Sequence, residues 1–205
     1  MSRLTLIVAA TVNNGIGQNA GLPWRLPQEM SYFARTTSKA PEGSKNVVIM
    51  GRNTWESIPK KFRPLKERVN LVVSRNPEYE LSQTESSPTR LFPDLSQALN
   101  EISTRNIGGN TIHRSFIIGG ASLYKDSLLL SPNETAYVDR ILLTRILAPS
   151  FDDCDVYMPD FQSEGQAWTR ASHGELQEWV GFEVSEGIQE ENGIKYEFQM
   201  WTRTT

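Results

Sequence analysis

Glu29 is the carboxylate in this 205-residue chain whose neighbours ask most of it. It lies in a helix-like stretch, Gln28–Thr36, where Leu26, Met30 and Phe33 form an apolar stripe. Helical spacing puts Glu29 on the same side. A carboxylate pressed against an apolar face costs several kcal/mol unless it is paired. Desolvation raises its pKa toward the range where it exchanges protons near neutrality. A first-turn glutamate held by the helix dipole fits this stretch equally well. Arg68 follows Arg63-Pro64-Leu65-Lys66 and opens an apolar run. Its planar fork could clamp a carboxylate, although a snorkelling surface arginine is the commoner case.

Two strand-like runs pass directly into glycine and then a helix: VVIM-Gly51-Arg52-Asn53-Thr54-Trp55 and SFII-Gly119-Gly120-Ala121-Ser122-Leu123-Tyr124. A helix that starts at the carboxyl end of a strand points free N–H groups and a positive dipole end outward, which suits a phosphate. Each motif alone is more often a tight turn, but two could hold the two phosphates of a dinucleotide. Neither is a P-loop or a GxGxxG fingerprint. Ser74-Arg75 ends the run VNLVVS, where a hydroxyl and a guanidinium could take a further phosphate. Asn13–Pro27 (NNGIGQNAGLPWRLP) combines Gly15, Gly17 and Gly21 with Ile16, Leu22 and Trp24, a mixture suited to a lid that orders over a ligand.

The elements that must position these groups alternate. Leu4–Ala10, Asn46–Met50, Val69–Ser74, Ser115–Ile118 and Arg140–Ile146 are nearly continuous apolar runs, as in strands buried on both faces. Gln28–Thr36, Arg52–Ser57, Asp94–Ile102 and Ala121–Leu129 read as helices between them, the third capped by Asp94. The alternation predicts an α/β fold. Trp168–His173 and Lys195–Arg203 read as strands, with Gly187–Gly193 as a turn before an antiparallel hairpin. Asn76–Thr89, Ser103–Arg114 and Leu130–Tyr137 are polar and read as surface insertions.

Composition narrows the function classes. A length of 205 residues with 38% hydrophobic content suits one globular domain with a substantial core, or at most two small ones. A net charge of -3 argues against a nucleic-acid partner. The single cysteine, Cys154, allows no intrachain disulfide, a pattern common in the cytosol. The apolar run Leu4–Ala10 is too short for a signal peptide, and no stretch approaches a membrane span. His113 and His173 are isolated, so no metal is expected.

Taken in order, LIVAA, NGIG, LPW, Glu29, VVIMGRNTWESIP, RPLKER with VNLVVSR, IIGGASLY, LTRI and KYEFQMW resemble the dihydrofolate reductase family of the eukaryotic, fungal-like type, from about Leu4 to Arg203. The resemblance implies a single domain built on an eight-stranded, mainly parallel sheet with an antiparallel C-terminal strand and helices on both faces. It implies NADPH-dependent reduction of dihydrofolate by a cytoplasmic monomer, with antifolates as further ligands and no nucleic acid or membrane. For the substrate, it implies Glu29 as the acid that binds the pterin, oriented by Thr144. Ile7, Val8, Ala9, Met30, Phe33, Ile118 and Tyr124 would surround the ring. Ile58, Pro59 and Leu65 would wall the aminobenzoyl group, and Arg68 would pair with the glutamyl carboxylate. Leu22 would lie beside the nicotinamide, and Trp24 would help hold a water near the acid.

For the cofactor, the resemblance implies Ala9, Ile16 and Gly17, then Gly51, Arg52, Asn53 and Thr54 at one helix start, and Ser74 and Arg75 at the 2′-phosphate. Ile118, Gly119, Gly120, Ala121, Ser122, Leu123 and Tyr124 would form the second helix start, with Gly119-Gly120 joined by a cis peptide. Two residues depart from the pattern. Gly21 stands where some relatives carry an acidic residue, and Pro93 where some carry a phosphate-contacting arginine; Arg90 nearby is one candidate substitute, and no substitute is the other reading. The resemblance implies that hydride passes from nicotinamide C4 to pterin C6, that Glu29 binds the far edge of the ring, and that water delivers the proton to N5 while the buried carboxylate raises the basicity of N5.

Three other readings compete with this one. A reductase of a pyrimidine intermediate in riboflavin synthesis would share fold and cofactor, but would not need the LPW loop, Glu29 and Arg68 together. A non-catalytic nucleotide-binding module would not need Glu29. A thymidylate synthase fusion would need a second catalytic domain after KYEFQMWTR, where the sequence continues for only two residues.

Overall fold

A computed structural model describes residues 2–82, 84–131, 134–162 and 168–203. In chain order the elements are β1 (Ser2–Thr11), β2 (Gly15–Gly17), α1 (Pro27–Ser38), β3 (Ser44–Gly51), α2 (Arg52–Ser57), a 3-10 turn (Lys60–Phe62), β4 (Arg68–Val73), β5 (Thr89–Phe92) and α3 (Leu95–Ser103). There follow β6 (Asn106–Ile107), β7 (Asn110–Ile117), α4 (Ala121–Leu128), β8 (Ala136–Ala148), β9 (Val156–Tyr157), β10 (Thr169–Arg170), α5 (His173–Val180), β11 (Gln189–Glu191) and β12 (Ile194–Thr202). The chain forms two compact units, Met1–Thr5 with Thr37–Val138, and Leu6–Thr36 with Asp139–Thr205.

In the first unit the strand order is β1-β7-β3-β4-β5. β3 pairs in parallel with β4 and β7, and β4 with β5. Val47 to Met50 are wholly buried, as are Val69, Leu71 and Val72. That is why these runs are continuous in apolar residues and do not alternate. Two buried asparagines tie loops to strand starts. Asn46 donates to the Thr37 and Lys39 carbonyls at 3.0 and 2.9 Å. Asn70 donates to the Leu65 and Arg68 carbonyls and accepts from the Leu65 N–H, each at 3.0 Å. Asp94 caps α3 by accepting the Gln97 N–H at 2.8 Å, and Leu95, Ala98, Leu99 and Ile102 form its buried face, as the periodicity requires.

In the second unit the order is β10-β12-β8-β1, with β12 antiparallel to both neighbours. β11 folds onto β12 through a tight turn at Asn192-Gly193, both at positive φ. Trp24, Leu26, Ile146, Ile194 and Tyr196 form a buried cluster.

The mixed α/β class and central, mainly parallel sheet match the expectation, with differences in detail. Eight strands lie on the main path, and β6 and β11 pair alongside it. The antiparallel C-terminal part comprises three strands, β10 to β12, with β11 in the stretch expected as a turn. Trp168–His173 is not a strand throughout. Only Thr169–Arg170 pairs, and α5 starts at His173 under a capping box, Ser172 with Glu175. The supposed insertions are partly structural. Ile107 and Ile112 are buried in the β6–β7 hairpin, and Ala136 and Tyr137 open β8. Their polar residues are the solvent-facing half of short strands. Gln83, Pro132 and Asn133 of those stretches lie outside the described residues. No helix is long and apolar enough to cross a membrane among the described residues.

Candidate active site

In the second unit, Pro27 opens α1 at the first helical position, where its missing N–H is no loss. Glu29 follows in the first turn and is only 6% exposed. Thr144, on β8 and buried, donates its hydroxyl to Glu29 Oε1 at 3.0 Å. Among the described residues this is the only hydrogen bond to the carboxyl group. Burial pushes the carboxyl up to about 7, the Thr144 bond pulls it down, and the Glu191 charge pushes it up again. The inward face of α1 differs from the apolar stripe expected. Glu29, Tyr32 and Thr36 are buried, Phe33 is half-buried, and Met30 is 48% exposed. Met30 is one residue from Glu29, about 100° around the helix, so burying Glu29 turns it outward.

The segment expected to act as a lid begins after β1, where Ile7 and Val8 are buried and Ala9 half-buried. Arg145 on β8 anchors the lid's root, donating to the Thr11 carbonyl at 2.6 Å and to Asn14 Oδ1 at 3.0 Å. Gly15 and Gly17 are buried on β2, opposite Tyr157 and Val156 of β9, and Ile16 is half-buried. A Cβ on Gly15 would lie 2.6 Å from Cys154 Sγ, so this close approach needs glycine. Gln18 and Gly21 exchange backbone hydrogen bonds at 3.0 and 2.9 Å around Asn19-Ala20, both at positive φ. Asp155 Oδ2 accepts the Asn19 N–H at 2.9 Å, so the lid is tethered despite glycine at position 21. Leu22 is 55% exposed, contrary to the packed role its type suggests, because it follows the turn. Trp24 is buried, edge-on to Phe151, and its indole N–H has no acceptor among the described residues.

In the first unit, Arg68 is 6% exposed at the start of β4. It donates Nη1 to Thr37 Oγ1 at 2.6 Å and Nε to the Lys66 carbonyl at 2.9 Å. Asn70 fixes the loop that carries it. Among the described residues it has no salt-bridge partner, and burial holds its guanidinium down to about 10. The Glu67 charge nearby pulls it back up in part, and a buried cation whose hydrogen-bond partners are neutral is poised for an anion. Leu65 beside it is buried, Ile58 half-buried and Pro59 exposed.

The two glycine turns meet in this unit. The Gly51 N–H donates to the Gly119 carbonyl at 2.8 Å, and Gly119-Gly120 is a cis peptide. A Cβ on Gly119 would lie 3.3 Å from Thr54 Oγ1 and 3.4 Å from the Tyr124 hydroxyl, with φ at +118°. Gly51 and Gly120 cap α2 and α4, and neither helix start carries a side-chain cap hydrogen bond. Ile118, Leu123 and Tyr124 are buried, Ala121 is half-buried and Ser122 exposed. Asn53 is exposed and Thr54 half-buried, while Arg52 pairs loosely with Glu56 at 3.9 Å. Ser74 is buried and accepts the Asn76 N–H at 3.1 Å, keeping its own proton to donate; Arg75 beside it is exposed. Arg90, exposed, is paired with Glu101. No cluster of metal-binding side chains occurs among the described residues.

The sequence model of dihydrofolate reductase matches residues 3–203 of the chain. The chain belongs to the dihydrofolate reductase family. Relatives agree over almost the full length. The dihydrofolate reductase of Cryptococcus neoformans is 45% identical over 97% of this chain and 93% of its own. That of Pneumocystis carinii is 43% identical over 98% and 96%. The solved structure of Schistosoma mansoni dihydrofolate reductase superposes with a TM-score of 0.75, at 34% identity and 98% coverage of both chains. The chain is therefore an oxidoreductase of the dihydrofolate reductase type, and the pyrimidine-reductase alternative is not favoured.

For a dihydrofolate reductase, the instructive omissions from the sequence reading are Glu191, Tyr196 and Arg145. Glu191 accepts the Gln28 N–H with both carboxylate oxygens, at 3.1 and 3.2 Å. The Tyr196 hydroxyl donates to Glu191 Oε2 at 3.4 Å. The alternation of β12 marks Tyr196 as inward, but nothing local ties Glu191 to a helix 163 residues away.

Proposed function

We propose that the chain reduces 7,8-dihydrofolate to 5,6,7,8-tetrahydrofolate with NADPH, acting as a cytoplasmic monomer in which residues 1–205 work as one domain. The observation that carries this reading is Glu29, a buried carboxyl held near neutrality with one threonine donor. Its carboxyl group meets N3 and the 2-amino group at the edge of the pterin, while Thr144 fixes its orientation. Phe33, Ile7 and Val8 offer apolar contact to the ring. Trp24, with its unpartnered buried N–H, holds a water near the acid. Arg68 binds the glutamyl α-carboxylate, and Ile58, Pro59 and Leu65 pack on the aminobenzoyl group.

Capping glycines without side-chain caps, and a cradle that a Cβ would fill, fit the phosphates of a dinucleotide. Arg52 and Thr54 serve one helix start, Gly120 to Tyr124 the other, and Ser74 with Arg75 the 2′-phosphate. Bound there, the nicotinamide supplies hydride. The chain's own residues do the rest. Leu22 and Ile16 on the lid exclude bulk water, and the Ile118 carbonyl faces the reacting rings. Glu29 holds a proton near neutral pH, from which water can protonate N5. The rate of the hydride step therefore falls as pH rises through about 7.

NADPH oxidation measured with and without dihydrofolate tests the reading directly. Oxidation must depend on dihydrofolate; substrate-independent oxidation, or none, rejects it. For cofactor choice, Arg75→Ala is expected to raise KM for NADPH by roughly a decade, the worth of one charge-assisted contact. KM for NADH should hardly change, since only NADPH carries the 2′-phosphate. Equal weakening of both cofactors would mean that Arg75 is structural.

A further inference from the structure

Helix α1 has no capping side chain of its own. Leu26 precedes its first residue, Pro27 has no N–H, and the Gln28 N–H is the first donor that needs a partner. That partner comes from the end of β11, where Glu191 brackets the donor with both oxygens. Next to it, Asn192 donates its amide to the Arg25 carbonyl at 3.0 Å. Ile194, after the turn, packs with Trp24 and Leu26. The β11–β12 hairpin thus grips the connection from Trp24 to Gln28, immediately ahead of Glu29.

We propose that Glu191 is a positioning residue for the reaction: from the β11 edge it caps α1 and sets a second carboxylate beside Glu29. The inference rests on Glu29 being the acid. A first-turn glutamate ordinarily feels the positive end of its helix, which favours its ionised form. A carboxylate seated on that terminus offsets the dipole and adds like-charge repulsion, so Glu29 keeps its proton to higher pH. The groups that face Glu29 agree with this arrangement. Thr144 on β8 donates to it. Burial pushes Tyr32 on α1 and Tyr196 on β12 upward; the Glu29 charge adds to both, and Glu191 adds more than Glu29 at Tyr196. Glu191 is the neighbouring carboxylate that raises Glu29. Tyr196 also donates to Glu191, tying the cap to the aromatic run Tyr196–Phe198–Tyr32, with ring centroids 5.5 and 4.3 Å apart.

The test is the pH profile of the hydride step in wild type, Glu191→Gln and Glu190→Gln. Glu191→Gln keeps an acceptor for Gln28 and loses the charge. Its midpoint should move toward acid by roughly half a pH unit, the size of an exposed dipole interaction. With a wild-type midpoint near 7, that halves the rate at pH 7 or thereabouts, about a twofold loss. Glu190→Gln removes the same charge one residue away, at an exposed position, and should leave the profile in place. Glu191→Asp keeps the charge but draws it back. It should shift the midpoint in the same direction by less, and it serves if the glutamine variant does not fold. An unmoved midpoint in Glu191→Gln, or equal shifts in both glutamine variants, would overturn the proposal, even if melting temperature falls. Failure of the underlying reading looks different: Glu29→Gln would then retain turnover.

Discussion

Glu29→Gln is expected to lose about two to four decades of turnover at neutral pH, the usual contribution of a positioned acid or base, while its affinity for NADPH stays within a factor of about two. The amide keeps the size of the side chain and can still accept the Thr144 hydroxyl. It cannot hold a proton or place a charge against the pterin. Stability should change in the opposite sense. The folded-state pKa of Glu29 is raised from 4.5 to about 7, so between those values the folded protein binds the proton that the unfolded chain has released. Stability therefore falls as pH rises through that window, by on the order of 3 kcal/mol in all. The glutamine variant has no such proton to lose. It should resist denaturant better than wild type at pH 8, and the advantage should vanish by pH 4. Turnover and urea unfolding at both pH values check the two halves. A variant that turns over like wild type would remove Glu29 from the chemistry.

Arg68→Leu should weaken dihydrofolate by about one to two decades, the worth of a charge-assisted bidentate pair in a partly desolvated site. Antifolates that consist of a diaminopyrimidine and an apolar ring carry no glutamyl tail, and their binding should change little. Arg68→Lys should rescue in part, because it restores charge without the planar fork. The guanidinium is an informative target because its partners, Thr37 Oγ1 and the Lys66 carbonyl, are neutral and orient it without cancelling its charge. Affinities of dihydrofolate and one tail-less inhibitor, measured on wild type and both variants, decide the matter. Equal losses for both ligands would show damage to the fold and not a lost tail clamp.

Much of the parallel core could be read from the chain because it is written in continuous apolar runs. Val47–Met50 and the Val69–Val72 run announce buried strands, and Asp94 announces its helix. Glu29 stood out for the same reason, as a charge among apolar neighbours. The face it occupies was harder to read. Tyr32 and Thr36 turn inward with it, because a helix that buries one acid must supply polar or aromatic neighbours for it. The outlying strands carry weaker signals. β6, β9, β10 and β11 are two or three residues long, so a period of two has no room to repeat. α5 was legible in its capping box, Ser172 to Glu175, but its short apolar content concealed it. Glu191 had no local signal, since a carboxylate at a hairpin turn looks like any solvated charge.

The cap on α1 also bears on how the protein comes into being on the ribosome. Glu29 is made early, yet Thr144 follows 115 residues later, and the carboxylate that ends its helix 163 residues later. Contacts of such sequence separation form late, because a long loop must close before they return any free energy. A nascent chain that has emerged as far as β8 holds the acid and its threonine, but α1 still lacks its cap and β8 its β12 partner. Competence thus arrives with the β11–β12 hairpin, and ligands that need a finished acid site should not stabilise shorter nascent chains. Pulse-labelled hydrogen exchange during refolding should accordingly show the Gln28 amide gaining protection with β12, after the β3–β4 ladder.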